Sequence, residues 1–161
     1  MYRVKTLLVL LMILGLSLFA GKSVSAHCEI PCGIYNDAMR YDMLQEDITT
    51  MEKSMAQITE LSTQGDKNYN QLVRWIVNKD NHADKFVEVV YQYFMTQRLK
   101  PIPEDAGTEY DDYIKQLKYY HEMLYYAMKC KQTTDETNIE KLKELVAASR
   151  KLFFKDHGHE H

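Results

Sequence analysis

Proline and glycine are scarce in this chain, at 3 and 6 among 161 residues. Long regular elements are therefore favoured over a turn-rich β-sandwich. Clusters of basic residues are also missing, and acids outnumber Lys and Arg by 23 to 20. That excludes a basic nucleic-acid binder and leaves no nucleic-acid partner to expect. No apolar run reaches the roughly 20 residues needed to span a bilayer comfortably. Cysteine is sparse and odd in number, with three residues at 28, 32 and 130, which suits a disulfide scaffold poorly. Strand-like alternation, internal repeats and low-complexity tracts are lacking, apart from a His-rich end at 156–161. What remains is an ordinary globular balance, 45% hydrophobic and 27% charged, in a length that fits one domain with one core.

The N-terminus reads as an export signal. Arg3 and Lys5 precede an apolar run from Leu7 to Ala20, interrupted by Gly15 and Ser17, and a polar stretch then ends in Val24-Ser25-Ala26. The pattern predicts a leader over 1–26, cleaved after Ala26, with the domain occupying 27–161. An uncleaved anchor is the competing reading. Cleavage removes Arg3, Lys5 and Lys22 and no acid, which takes the formal charge from −3 to −6. The expected location is the periplasm, the cell exterior or a photosynthetic lumen, with no membrane attachment once the leader is gone.

From 36 to 156 the periodicity is helical. Leu44, Ile48, Met51, Met55 and Ile58 form one face, and Gly65 is expected to cap that helix. A second stripe runs through Leu72, Trp75/Ile76, Lys79, His82/Ala83, Phe86, Val89/Val90 and Tyr93, stopped by Pro101 and Pro103. A third carries Tyr110, Tyr113/Ile114, Leu117, Tyr120/His121, Leu124 and Ala127/Met128. Thr133-x-x-Glu136 reads as a capping box opening a fourth, with Ile139, Leu142, Leu145/Val146 and Leu152/Phe153 inward. Four such stripes joined mostly by short connections predict an all-α, antiparallel up-and-down four-helix bundle. Twelve tyrosines, several crowded on the third helix, exceed what one bundle would bury and point to self-association. Cys130 is expected to be a buried free thiol, His121 an ordinary bundle residue, and the His-rich end a solvated tail.

The chemistry concentrates at 27–35. Cleavage before His27 would place a free α-amine, an imidazole, the Cys28 amide nitrogen and the Cys28 thiolate within two residues, with the Cys32 thiolate after a three-residue loop. Amine to amide nitrogen, and amide nitrogen to thiolate, each close a five-membered chelate ring. Planar donors of this kind suit Ni(II) or Cu(II). Zinc prefers tetrahedral side-chain ligands, and iron–sulfur sites need more cysteines. Thiolates and an amidate donate electron density strongly and stabilise a higher oxidation state. A Cys28–Cys32 disulfide is the competing structural reading.

The segment His27-Cys28-x-x-Pro31-Cys32-Gly33-x-Tyr35 resembles the N-terminal nickel hook of the nickel superoxide dismutase family. A looser similarity extends through the four-helix length, Lys79-Asp80-Asn81-His82-Ala83-Asp84 and Tyr93-Phe94. The resemblance implies a nickel cofactor cycling between Ni(II) and Ni(III), with superoxide converted to oxygen and hydrogen peroxide. It implies metal ligation by His27, Cys28 and Cys32, a cis Ile30–Pro31 bond, and Tyr35 beside the open face, with His27 and Tyr35 as the catalytic pair. It also implies a homohexamer. Asp42 and Glu46 are candidates for the acid that orients the axial histidine, His82 for its basic partner, and Tyr93 for lining the access route. Met95 stands where some members carry a lysine, so Arg98 or Lys100 is expected to guide the anion. A noncatalytic exported carrier of nickel or copper is the rival function, and a secreted bundle stapled by Cys28–Cys32 the rival structure.

Overall fold

The computed structural model describes residues 36–157, the side chains of 66, 156 and 157 excepted. Four helices account for most of them: α1 (Asp37–Ser62), α2 (Tyr69–Glu88), α3 (Thr108–Gln132) and α4 (Thr137–His157). α2 runs on without a break into a π-helical segment, Val89–Arg98, and short 3₁₀ turns occupy Gly65–Asn68 and Glu104–Ala106. No strand occurs among the described residues. Pairings across the helices run in opposite chain directions. Ser54 meets Asn78 while Asp37 meets Tyr93, and Glu52 meets Lys143 while Asp42 meets Arg150. The four helices thus alternate in direction around one core.

The first stripe folds as the periodicity predicts. Leu44, Ile48, Met51 and Met55 are fully buried, each such side chain stabilising the fold by about 1.5–3 kcal/mol relative to exposure. On α3 the phase differs from the expected one. The buried series is Gln116, Tyr120, Met123, Ala127 and Cys130, whereas Ile114 and Met128 are exposed. The glutamine disguises this stripe, because it enters the core as a hydrogen-bonding residue. Gln116 Nε2 donates to Ser149 Oγ (2.6 Å), and the Tyr41 hydroxyl lies 2.9 Å from Ser149 Oγ and 3.2 Å from the Tyr120 hydroxyl. Phe94 stacks on Tyr120 at 5.4 Å and tilts against Tyr41 at 4.4 Å. Burial, chiefly, raises the Tyr41 hydroxyl far above the ordinary phenol range, so it stays a neutral hydrogen-bonding group.

The helix ends correct two expectations. α1 closes at Ser62 because the Thr63 amide (3.2 Å) and hydroxyl (2.7 Å) both donate to the Glu60 carbonyl. Gly65 follows two residues later, with φ of 67°, at the start of the 3₁₀ turn rather than as the cap. Thr133 likewise does not open α4. It closes α3, its amide donating to the Lys129 carbonyl at 3.1 Å. A capping side chain must lie close enough to its helix to reach the first amides, and Asp135, two residues before Thr137, does so, accepting from the Thr137 amide at 3.0 Å and hydroxyl at 2.8 Å.

The first half of α2 departs furthest from its apolar pattern. Lys79 is buried, and its ammonium donates to the carbonyls of Cys130 and Lys131 at the end of α3. α3 therefore ends level with Lys79, and the first ten residues of α2 extend beyond it. Leu72 and Trp75 are half-buried, while Tyr69, Val73, Ile76 and Val77 stay exposed.

Candidate functional site at the start of the first helix

The hook residues His27, Cys28, Cys32 and Tyr35 lie outside the described residues. The structure does define the ground into which that segment leads. Asn36 caps α1, its Oδ1 accepting from the Met39 amide at 3.0 Å. The next residue, Asp37, receives two donors from the end of the π-helical segment. The Tyr93 hydroxyl donates to Oδ1 at 2.5 Å, and the Arg98 guanidinium donates to Oδ2. Arg40, one turn along, places its guanidinium 5.1 Å from the Tyr93 ring centre, and Arg98 lies 5.7 Å from the Phe153 ring. Burial, then the hydrogen bond to the Asp37 carboxylate, pushes the Tyr93 phenol well above its ordinary range. Tyr93 therefore holds its proton and directs it at Asp37. Arg98, expected from sequence to guide an anion, has an acidic partner in Asp37, whereas Lys100 is exposed.

A cavity of about 580 Å³ opens beside this cluster between the segment after the π turn, the start of α3 and the end of α4. Arg98, Lys100, Tyr113, Gln116, Phe153 and Lys155 are among its walls. Lys155 pairs with Asp112 at 2.5 Å, so both signs of charge flank an aromatic interior.

The other candidates sit elsewhere on α1. Asp42 pairs with Arg150 of α4 at 2.7 Å, and Glu46 is exposed. His82 faces neither. Its Nδ1 lies 2.7 Å from Oδ1 of Asp47, a buried carboxylate that is not among the candidates the sequence suggests. A signal for it exists, since Asp47 shares the inward face with Leu44, Met51 and Ser54, as an acid at helical spacing within an apolar stripe. Desolvation raises the Asp47 pKa, and the hydrogen bond and charge of His82 oppose that rise. Asp47 lies ten positions after Asp37, roughly 15 Å along the helix axis, so the two pairs lie at different levels of the bundle. Cys130 is a buried free thiol, as expected. Among the described residues no group of three His, Cys, Asp or Glu side chains could hold a metal ion. Among them too, no helix is long and apolar enough to cross a membrane.

These features define an all-helical bundle protein with a half-buried charge cluster at the start of α1, the helix that follows the Cys- and His-bearing segment in the sequence. Residues 22–157 match the family of nickel-containing superoxide dismutases, and the chain belongs to that family. It is accordingly a superoxide dismutase, an oxidoreductase with a nickel cofactor and superoxide as substrate. Family membership decides against the noncatalytic carrier. No curated protein and no solved structure matches the chain.

Proposed function

We propose that the mature protein begins at His27 and dismutes superoxide at nickel held by residues 27–35, in an exported homohexamer. The observation that carries this reading is that the family match spans residues 22–157 and so includes the whole His-Cys-x-x-Pro-Cys-Gly-x-Tyr segment. The donor set fits the metal. The His27 amine and imidazole, the Cys28 amide nitrogen and thiolate, and the Cys32 thiolate supply the nitrogen and soft sulfur donors that favour Ni(II) over harder cations. Nickel bound there supplies a Ni(II)/Ni(III) couple, by which one superoxide is oxidised to oxygen and a second is reduced. The reduced product leaves as hydrogen peroxide after taking two protons. Tyr35 would hold the incoming anion with its hydroxyl, Pro31 would stiffen the loop between the two sulfur donors, and Gly33 would allow a tight exit toward the first helix. Asp42, Glu46, His82 and Tyr93 remain candidates for the surrounding shell, with Asp47 added as the partner of His82.

The leader supports export, and α2 supports assembly. Tyr69, Val73, Ile76 and Val77 project from one side of α2 beyond the end of α3, an exposed apolar face of the kind that subunits cover.

N-terminal sequencing with metal analysis of the exported protein tests the reading. The expected terminus is His27, with equimolar nickel. A version carrying one extra residue before His27 is expected to lose dismutase activity, since the amine then leaves its chelate ring. Full activity with the extended terminus would sink the mechanism. Sedimentation of the loaded protein reads the assembly, and a monomer would remove the hexamer.

A further inference from the structure

The ten-residue π-helical segment at the end of α2 brings Tyr93 and Arg98 to one carboxylate. In an α-helix five residues turn through about 500°, which leaves positions i and i+5 about 140° apart around the axis. A π-helix closes at i+5, so the same two positions lie one above the other. Winding of that kind is present. The Leu99 amide donates to the Phe94 carbonyl at 2.8 Å, and the Thr96 hydroxyl to the Tyr91 carbonyl at 2.8 Å. Tyr93 and Arg98 are themselves i and i+5, and each takes one oxygen of Asp37. With α-helical winding they would instead point about 140° apart around the axis.

The residue they hold is the first of α1. The opening turn of a helix ordinarily frays, because its amides lack partners. Here the Asn36 side chain satisfies the Met39 amide, and Asp37 ties the same turn to the end of α2. Asp37 lies five positions after Cys32, a tether of at most roughly 18 Å. Any slack at Asp37 passes directly to that tether.

We propose that Asp37 and Arg98 are positioning residues for the nickel-binding segment, with the π turn as the device that aims Tyr93 and Arg98 at Asp37. The clasp fixes the point and direction in which the chain enters α1, and so limits the arrangements open to residues 27–35 when they close around the metal. The inference rests on the reading that this segment holds the nickel. It differs from ligation, because both carboxylate oxygens of Asp37 are taken up by Tyr93 and Arg98.

The test uses the full mature chain in its apo form, titrated with Ni(II) against a competing chelator, alongside hydrogen exchange of the Met39 and Arg40 amides. In Arg98→Gln the nickel Kd is expected to rise at least about tenfold, the size of effect seen when groups that orient metal ligands are lost. The two amides are expected to exchange faster while far-ultraviolet ellipticity stays unchanged. Asp37→Asn is expected to act in the same direction, and the double variant to be no worse than the weaker single, as for one shared contact. Nickel affinity within about twofold of wild type, in a folded variant whose amides exchange faster, would overturn the proposal. So would unchanged exchange. If Arg98→Gln does not fold, Arg98→Lys replaces it, with the same readouts, the same expected result and the same overturning ones. A wild-type chain that binds no nickel would instead defeat the proposed function, and the positioning role with it.

Discussion

His82 and Asp47 face each other across α1 and α2, Nδ1 to Oδ1 at 2.7 Å, with the carboxylate almost wholly buried. The pair links the two most extensively packed helices midway along the bundle. Desolvation is the largest influence on the acid and it raises the pKa, so the pairing with His82 only partly offsets the cost of an ionised carboxylate there.

Replacing Asp47 by Asn should therefore cost less than the loss of a buried ion pair, about 1 kcal/mol near neutral pH, the size of one hydrogen bond. The pH dependence carries the sign. A raised folded pKa means that the native state binds a proton where the unfolded chain has released it. The contribution of Asp47 is fully favourable below the ordinary carboxylate value and is lost as pH rises through the raised folded value. Wild type should gain stability relative to Asp47→Asn as pH falls from neutral toward about 4. Urea midpoints of both proteins across that range measure it, and a difference that moves the other way would contradict it.

Lys79 closes the end of α3 from outside that helix. Its buried ammonium donates to the Cys130 and Lys131 carbonyls and lies 3.3 Å from Asp80. Lys79→Met keeps much of the bulk and removes the donor, leaving those carbonyls without it. The expected cost is about 2 to 4 kcal/mol, read as a lower urea midpoint at unchanged slope. A loss under about 0.5 kcal/mol would mean that water satisfies the carbonyls just as well.

Burial pushes the Cys130 thiol up to about 11, despite the opposing charge of Lys79. Almost none of it is thiolate near neutral pH, and it is fully buried. In a Cys28→Ser/Cys32→Ser variant, iodoacetamide at about pH 8 should label the unfolded chain and spare the native one. Mass spectrometry of the two samples decides it. Ready labelling of the native protein would show that the end of α3 opens more often than its packing implies.

Helices are legible in the sequence where their inward residues are apolar. Leu44 to Ile58 can be read directly, and Ile139, Leu142 and Val146 likewise, because burial of those side chains drives the packing. Legibility fails where a polar side chain goes inside with its partners. Gln116 shifts the apparent phase of α3, Ser149 gives no signal on α4, and Asp47 stands out less than its neighbours Asp42 and Glu46. Each of these depends on a group far away in sequence. The π turn is invisible for a related reason. Its extra residue per turn matters only when Asp37 stands opposite Tyr93 and Arg98.

The two kinds of information divide along physical lines. The amino-acid sequence alone carries the nickel chemistry, because the donors proposed for it are crowded into His27 to Cys32 and need no distant residue to converge. It carries the helical class as well, through the period of its apolar side chains. Tertiary structure decides which polar groups meet: His82 with Asp47, Lys79 with the end of α3, and Tyr93 and Arg98 with Asp37. Hydrogen bonds and ion pairs are short-ranged and directional, so partners 35 to 61 residues apart exist only once the helices have packed.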